Sequence, residues 1–507
     1  MSMRGIYTSV NDIRHRVFAE VARLSYEYQE PEDLKKMASI PYRIIPGEVS
    51  TYRDSVFLER AIVRERLRLA MGLTLRTAAE HGPVYEGAEE AASPEKYYQP
   101  PLINIIKFAC HSCVENQVVV TDQCQGCLAQ PCRESCPKNA ISIKNGHAFI
   151  DQNLCIKCER CMSACQYSAI LHLQRPCAKA CGMHAIRSDE YGRADIDQEK
   201  CVSCGMCLVN CPFGAITDKA QIFQVIQAIR SETPVYAAIA PAVIGQLGAG
   251  NTLGKLRAAL KALGFKDMVE VAIGADLCTI EEARDFMEEV PEKLPFMGTS
   301  CCPAWSVMAK REFPEYAHCI SMALTPMVLT GRLLKKKYPG CKVAFIGPCA
   351  AKKLEASRRT IRSDVDFVLT FEEVLGIMEA KDVKLADMPD DRAVIEASSD
   401  GRAFGIGGGV ANAVKNAIHD IDPDRTVLME RAEGLDECRK MMQKAKAGKF
   451  NGYLLEGMAC PGGCVGGAGT LAPIQKATVA VQMSTREGTT AHSTGSKYSD
   501  MLPKLEE

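Results

Sequence analysis

The chain has almost no net charge, no apolar run long enough to span a bilayer, no nucleotide-binding signature and no cysteine before Cys110. A formal net charge of -1 over 507 residues creates no field that would gather a polyanion, so nucleic-acid binding is not expected. The opening Met1-Ser2-Met3-Arg4-Gly5 lacks an apolar export region, and the most apolar stretch, Pro234 to Gly245, is short and interrupted by proline. The reading is no membrane segment and a cytoplasmic location. Gly405 to Val410 is glycine-rich but does not fit the dinucleotide fingerprint, and Gly254-Lys255 lacks the flanking residues of a P-loop. What remains is ordinary globular composition, 47% hydrophobic and 24% charged, in a chain long enough for two or three domains.

Cysteine is what the chain has in excess: 25 in all, with 16 of them between Cys110 and Cys211. Without a secretion signal, such clusters read as metal ligands rather than disulfides. Thiols two residues apart bridge each other poorly, whereas on tight turns they suit the corners of an iron–sulfur cluster. Four times a cysteine is followed, after three residues, by Ala-Ile: Cys136 with Ala140-Ile141, Cys165 with Ala169-Ile170, Cys181 with Ala185-Ile186, and Cys211 with Ala215-Ile216. Four repeats imply four half-ferredoxin units.

Two units are complete: Cys155, Cys158, Cys161, Cys165 and Cys201, Cys204, Cys207, Cys211 follow the bacterial ferredoxin spacing. A third, Cys124, Cys127, Cys132, Cys136, has a two-residue insertion. The fourth keeps only Cys177 and Cys181, and its missing pair is Cys110 and Cys113 if one two-cluster ferredoxin is inserted inside another. A separate zinc site or unused thiols is the alternative for Cys110 and Cys113. Because the fourth cysteine of such a run serves the other cluster, the expected sets are Cys124, Cys127, Cys132 with Cys165, and Cys155, Cys158, Cys161 with Cys136. The outer module then offers Cys110, Cys113, Cys177 with Cys211, and Cys201, Cys204, Cys207 with Cys181. Four 4Fe-4S clusters are expected.

Before this block, residues 1–105 read as a helical region, with an amphipathic helix over Tyr52 to Leu75 and a Gly, Glu, Ser and Pro-rich linker from Glu80 to Pro101. A cap over the cluster domain is the plainest role. Residues 106–218 form the nested ferredoxin-like domain. Residues 219–507 alternate apolar strand-like runs (Val235 to Ala240, Val269 to Ile273, Lys342 to Ile346, Gly452 to Glu456) with helical patterns. The fold class expected is α+β and α/β multidomain, with ferredoxin-like iron–sulfur domains followed by a two-lobed α/β domain.

Three motifs in that last part supply five thiols: Thr299-Ser300-Cys301-Cys302-Pro303, Pro348-Cys349-Ala350-Ala351-Lys352-Lys353-Leu354-Glu355, and Glu456-Gly457-Met458-Ala459-Cys460-Pro461-Gly462-Gly463-Cys464. Four suffice for one cubane and leave one thiol for proton chemistry. These motifs closely resemble the three signatures of the iron-only (FeFe) hydrogenases, over about Thr233 to Thr470. The resemblance implies a 4Fe-4S cubane on Cys302, Cys349, Cys460 and Cys464, bridged through Cys464 to a di-iron unit carrying carbonyl, cyanide and azadithiolate, together the H-cluster. It makes Cys301 the proton-transfer thiol, Lys352 the donor to a cyanide and Met458 the methionine packed on the di-iron site. It implies reversible reduction of protons to H2, a ferredoxin or similar one-electron partner, and maturation proteins for the di-iron unit. The family's proton path falls here on Glu282, Ser321 and Asp285, with Glu281 an alternative to Glu282; a solvated acidic helix surface is the alternative for Asp285.

The chain departs from the family at Gly347 (usually Met), Ala242 (usually Ser), Met327 (often Gln) and Gly466-Gly467-Ala468-Gly469-Thr470 (usually Gly-Gly-Gly-Gln-Pro), all expected near the di-iron pocket. That pattern suggests a divergent subgroup. An H2-sensing or low-activity homologue, or an iron–sulfur assembly protein lacking the di-iron unit, are the other readings. Cys278, Cys319, Cys341 and Cys438 have no ligand spacing and read as small buried hydrophobes.

Overall fold

The structure is a computed structural model and describes residues 2–506 apart from 78, 249 and 392–394. Its cysteine-rich part consists of two modules with one plan. In the outer module, strand Ile103–Ile105 pairs antiparallel with Ile216–Asp218, and Ile186–Ser188 forms a hairpin with Ala194–Ile196. In the inner module, Gln117–Val120 pairs with Ile170–Leu173, and Ile141–Lys144 with His147–Ile150. First strand meets last in both, so the outer module closes across the whole inner one. The isoleucine of each Cys-x3-Ala-Ile repeat (Ile141, Ile170, Ile186, Ile216) opens a strand, where a β-branched side chain packs well.

The remainder holds two parallel sheets. One orders Asp267–Glu270, Val235–Ile239, Lys342–Gly347 and Phe367–Thr370; the other orders Phe296–Gly298, Tyr453–Met458 and Leu428–Glu433. The Val235–Ile239 strand is buried at every position, as expected of a parallel strand with both faces covered by helices. Three of the four expected strands lie where the apolar runs placed them. The run Val269 to Ile273 is instead split: its strand ends at Glu270 and helix Ala272–Glu289 begins, because the apolar residues continue straight through the turn. Strand Phe296–Gly298 is too short for periodicity to reveal.

The N-terminal region differs most from expectation. Its amphipathic helix spans Val56–Ala70, capped by Ser55, whose hydroxyl accepts from the Phe57 amide at 3.2 Å. A longer helix, Ser9–Glu27, is capped by Thr8 in the same way. Its Val17, Phe18 and Val21 share one core with Phe223, Val374 and Ile377 of the α/β part. The segment read as a linker is packed too: Val84, Ala88 and Ala91 lie in that core. Arg68 donates to the Val84 and Glu86 carbonyls at 3.0 and 2.8 Å, and Lys96 Nζ to the Ala356 carbonyl at 2.7 Å. Arg68 of the preceding helix thus satisfies the segment's backbone, and the segment's own Lys96 reaches a backbone carbonyl of the α/β part, which local composition cannot reveal. Among the described residues no helix is long and apolar enough to cross a membrane.

Candidate iron–sulfur and catalytic site

In the first Cys-x2-Cys pair of each of the four units the residue before the second cysteine (Ser112, Gly126, Lys157, Ser203) is left-handed, with φ between 50 and 58°. In all four Cys-x3-Ala segments the residue before alanine (Asn139, Ser168, His184, Gly214) is left-handed as well, with φ between 49 and 57°. Cys110-x2-Cys113 therefore has the same turn as its three counterparts. The second turn aims backbone amides at sulfur: Ala140, Ala169 and Ala185 donate to Sγ of Cys136, Cys165 and Cys181 at 3.3, 3.4 and 3.4 Å. The hairpins contribute equivalently, with Ala148 donating to Cys124 Sγ at 3.5 Å and Ala194 to Cys110 Sγ at 3.4 Å. Such donors stabilise thiolate and cluster charge.

The thiols fall into the sets that the nested arrangement requires. One cavity is lined by Cys124, Cys127, Cys132 and Cys165, and another by Cys136, Cys155, Cys158 and Cys161. In the outer module, Cys113 and Cys177 share electrostatic neighbours in Cys110 and Cys211, while Cys181 groups with Cys201, Cys204 and Cys207. Burial pushes the Cys177 and Cys204 thiols up to about 12. Ligand loading must displace those protons. Among the described residues, no three His, Cys, Asp or Glu side chains are gathered for a single metal ion.

The fifth group of thiols lies between the carboxyl ends of the two parallel sheets, where open α/β folds carry their chemistry. Cys301 and Cys302 follow strand Phe296–Gly298, Cys349 follows Lys342–Gly347, and Cys460 and Cys464 follow Tyr453–Met458. All five line one cavity whose other walls are mostly apolar, among them Met327, Phe345, Phe404 and Met458. Burial lifts Cys301 and Cys460 well above the usual thiol range, and raises Cys349 to about 11 and Cys464 to about 12. Lys352 also lines the cavity. Burial disfavours its charge, but Glu355, with Oε2 2.6 Å from Nζ, holds the ammonium above its ordinary pKa. Thr325 in turn donates to Glu355 Oε1 at 2.9 Å. Five thiols and one fixed ammonium in apolar walls fit a bulky, anionic, thiolate-held inorganic group.

Glu282 lies behind Cys301. It is wholly buried on helix Ala272–Glu289, accepts from the Ser300 amide at 2.7 Å, and is the largest charged influence on the Cys301 thiol. Burial raises its carboxyl to about 7, against the lowering effect of the Ser300 amide and of the Ser300 and Ser321 hydroxyls. Of the two candidate carboxylates, Glu282 is the one beside Ser300. Ser321 is buried, and half-buried Asp285 acts on Glu282 electrostatically. Cys278, Cys319, Cys341 and Cys438 are fully or nearly inaccessible, as read from sequence.

The departures from the family pattern divide. Ala242 and Met327 line the cavity. At Gly347 an added Cβ would lie 2.5 Å from the Phe345 ring, so Phe345 fills the space a larger residue 347 would need. Ala468 faces away, towards Gly205 in the loop after Cys204. Sequence reading missed Phe345 and Phe404, and gave no role to Glu355 and Glu456, which end and open the second and third motifs. Glu456 accepts from the Gly408 and Ala411 amides at 2.7 Å each and caps helix Gly409–Ile421. The only signal for Phe404 was the neighbouring glycine-rich stretch.

The repeated cysteine turns beside a five-thiol cavity define an iron–sulfur protein. Residues 233–468 match the family model "Iron only hydrogenase large subunit, C-terminal domain", residues 148–171 a 4Fe-4S binding domain, and residues 171–222 the LdpA Fe-S cluster-binding domain. The chain is 30% identical over 370 residues to Iron hydrogenase 1 of Clostridium pasteurianum, covering 63% of this chain and 64% of that one. It is 28% identical over 311 residues to the NADP-reducing hydrogenase subunit HndD of Solidesulfovibrio fructosivorans, covering 50% and 53%. It is also 29% identical over 279 residues to the cytosolic Fe-S cluster assembly factor narfl of Danio rerio, covering 45% and 68%. The chain thus spans 53 to 64% of the length of these two hydrogenase relatives. Residues 233–468 are therefore similar to the C-terminal domain of the iron-only hydrogenase large subunit.

Proposed function

We propose that the protein is an iron-only hydrogenase that reversibly reduces protons to H2, using electrons relayed through four 4Fe-4S clusters. The observation that carries this reading is the placement of Cys301 between Glu282 and a cavity lined by Cys302, Cys349, Cys460, Cys464 and Lys352. An H-cluster bound there would supply the redox chemistry of hydrogen. Cys302, Cys349, Cys460 and Cys464 would hold its cubane. Lys352, oriented by Glu355, donates to an anionic ligand. Met327, Phe345 and Met458 exclude water from the pocket.

Cys301 carries protons at its Sγ and exchanges them with Glu282. A carboxyl near 7 both gives and takes a proton readily at neutral pH. Ser321 and Asp285 continue the path outward. The sets of Cys124, Cys127, Cys132, Cys165, of Cys155, Cys158, Cys161, Cys136, of Cys110, Cys113, Cys177, Cys211 and of Cys201, Cys204, Cys207, Cys181 would hold the relay cubanes, the last beside Cys349 and Cys460, and would take single electrons from a ferredoxin-like carrier in the cytoplasm. Maturation proteins deliver the di-iron unit. An assembly-factor role is disfavoured because Cys301, Lys352 and Met458 all face one cavity. Anaerobically matured protein should evolve H2 from reduced viologen and contain about 22 irons, six in the H-cluster and four in each relay cubane. Matured protein without H2 evolution would overturn the reading.

A further inference from the structure

The N-terminal region has one feature that neither packing nor the proposed reaction uses. Strand Ser2–Met3 pairs with Ile6–Tyr7, and the turn between them has positive φ at Arg4 and Gly5, 51° and 82°. This tight turn is docked on the loop after Cys464. The Arg4 amide donates to the Thr470 carbonyl at 3.3 Å and the Gly5 amide to the Leu471 carbonyl at 2.8 Å. A Cβ on Gly5 would collide with Pro473 at 2.5 Å, so glycine is needed for this approach.

The docked turn projects the Arg4 guanidinium into the seam between relay and catalytic cysteines. One nitrogen lies 3.7 Å from Sδ of Met206, which immediately precedes Cys207, and donates to the Gly466 carbonyl in the loop after Cys464. Its charge reaches Cys460. Across the same seam the Cys204 thiol is an electrostatic neighbour of Cys349 and Cys460. Arg4 Nε is buried without a hydrogen-bond partner. A cation so placed is costly unless an anion compensates it, and thiolate-ligated cubanes are anionic.

We infer that Arg4 is a potential-setting residue at the last electron-transfer step, where its fixed positive charge favours the reduced form of the cubane held by Cys302, Cys349, Cys460 and Cys464. In that step one electron leaves the cubane of Cys181, Cys201, Cys204 and Cys207, which is oxidised. The catalytic cubane is reduced and gains one negative charge. A nearby cation stabilises that added charge, and cluster potentials respond to local charge. The inference rests on the cubane assignment made above but not on the di-iron unit.

The test is an anaerobic redox titration, followed by electron paramagnetic resonance, of full-length protein reconstituted with iron and sulfide and never matured. The catalytic cubane is identified as the signal missing from Cys349→Ser. Arg4→Gln should shift its midpoint to more negative potential, with about a tenfold fall in the reduced-to-oxidised ratio at fixed potential, equivalent to about 59 mV. Arg4→Lys should keep most of the wild-type value. Equal iron content and unfolding temperature in the variants separate this effect from damage to the fold. An unshifted midpoint in Arg4→Gln, or an equal shift in Arg4→Lys, overturns the inference alone. Absence of any Cys349-dependent signal in the wild type overturns the cubane assignment and the inference with it.

Discussion

Lys353 Nζ lies 2.7 Å from Asp218 Oδ2, an ion pair that joins the helix after Cys349 to the closing strand of the outer ferredoxin module. Both side chains are nearly inaccessible. Glu373 accepts from the same ammonium at 2.6 Å, and Arg14 of the N-terminal helix pairs with Asp218 at 3.1 Å and Glu372 at 2.9 Å. Three parts of the chain that are distant in sequence therefore meet in one buried charge network. Removing Lys353 leaves the Glu373 carboxylate buried without its cation and Asp218 with Arg14 alone.

Lys353→Met should accordingly cost about 3–5 kcal/mol of stability. Lys497→Met, which removes the exposed pair between Lys497 and Glu396, should cost less than about 1 kcal/mol. Anaerobic guanidinium unfolding followed by circular dichroism measures both. Similar losses in the two variants would show that the buried network does not tie the parts together.

The ligand sets give a second test. Cys113→Ser and Cys177→Ser should each remove the same cubane signal from the paramagnetic resonance spectrum, whereas Cys161→Ser should remove a different one. Loss of different signals in the first two variants would break the nested pairing.

These thiol sets were legible from sequence because ferredoxin turns are local: the cysteine spacing, and the left-handed residues between, recur four times. The five-thiol cavity was legible from its three motifs. Other features depend on contacts between remote segments. Phe345 compensates for Gly347 from two residues away along a strand, and Ala468 turns towards Gly205 rather than the cavity. No periodicity announces either. The Ser9–Glu27 helix and the packed segment 80–101 escaped because their partners lie in the α/β part. Arg4 escaped because a turn of two positive-φ residues at the chain's start gives no hint of where it docks.

Glu282 makes stability depend on pH in a defined direction. Its folded carboxyl is raised to about 7 from an ordinary 4.5, so the folded state holds the proton more tightly than the unfolded state. The associated stability is fully present below about pH 4.5 and is lost as pH rises through about 7. The loss is on the order of 3 kcal/mol. In cluster-free protein, Glu282→Gln should flatten that slope, as read by unfolding midpoints at intervals from pH 5 to 8. An unchanged slope would place the titrating group elsewhere.

The exchange of volume between positions 345 and 347 predicts coupling. Gly347→Met should overpack the strand end and cost about 1–3 kcal/mol. Combining it with Phe345→Ala should recover part of that loss, and a double-mutant cycle measures the interaction. Additive losses would mean that Phe345 does not fill the space of residue 347.

The central claim, an H-cluster served by Cys301, is tested most directly by infrared spectroscopy of anaerobically matured protein alongside H2 evolution. Carbonyl and cyanide bands should be present in the wild type and in Cys301→Ala, which should lose about 100-fold or more of its turnover. Cys302→Ala should not hold the cubane and should lack the wild-type spectrum. Absence of these bands from matured wild-type protein, or near-normal turnover in Cys301→Ala, would contradict the account.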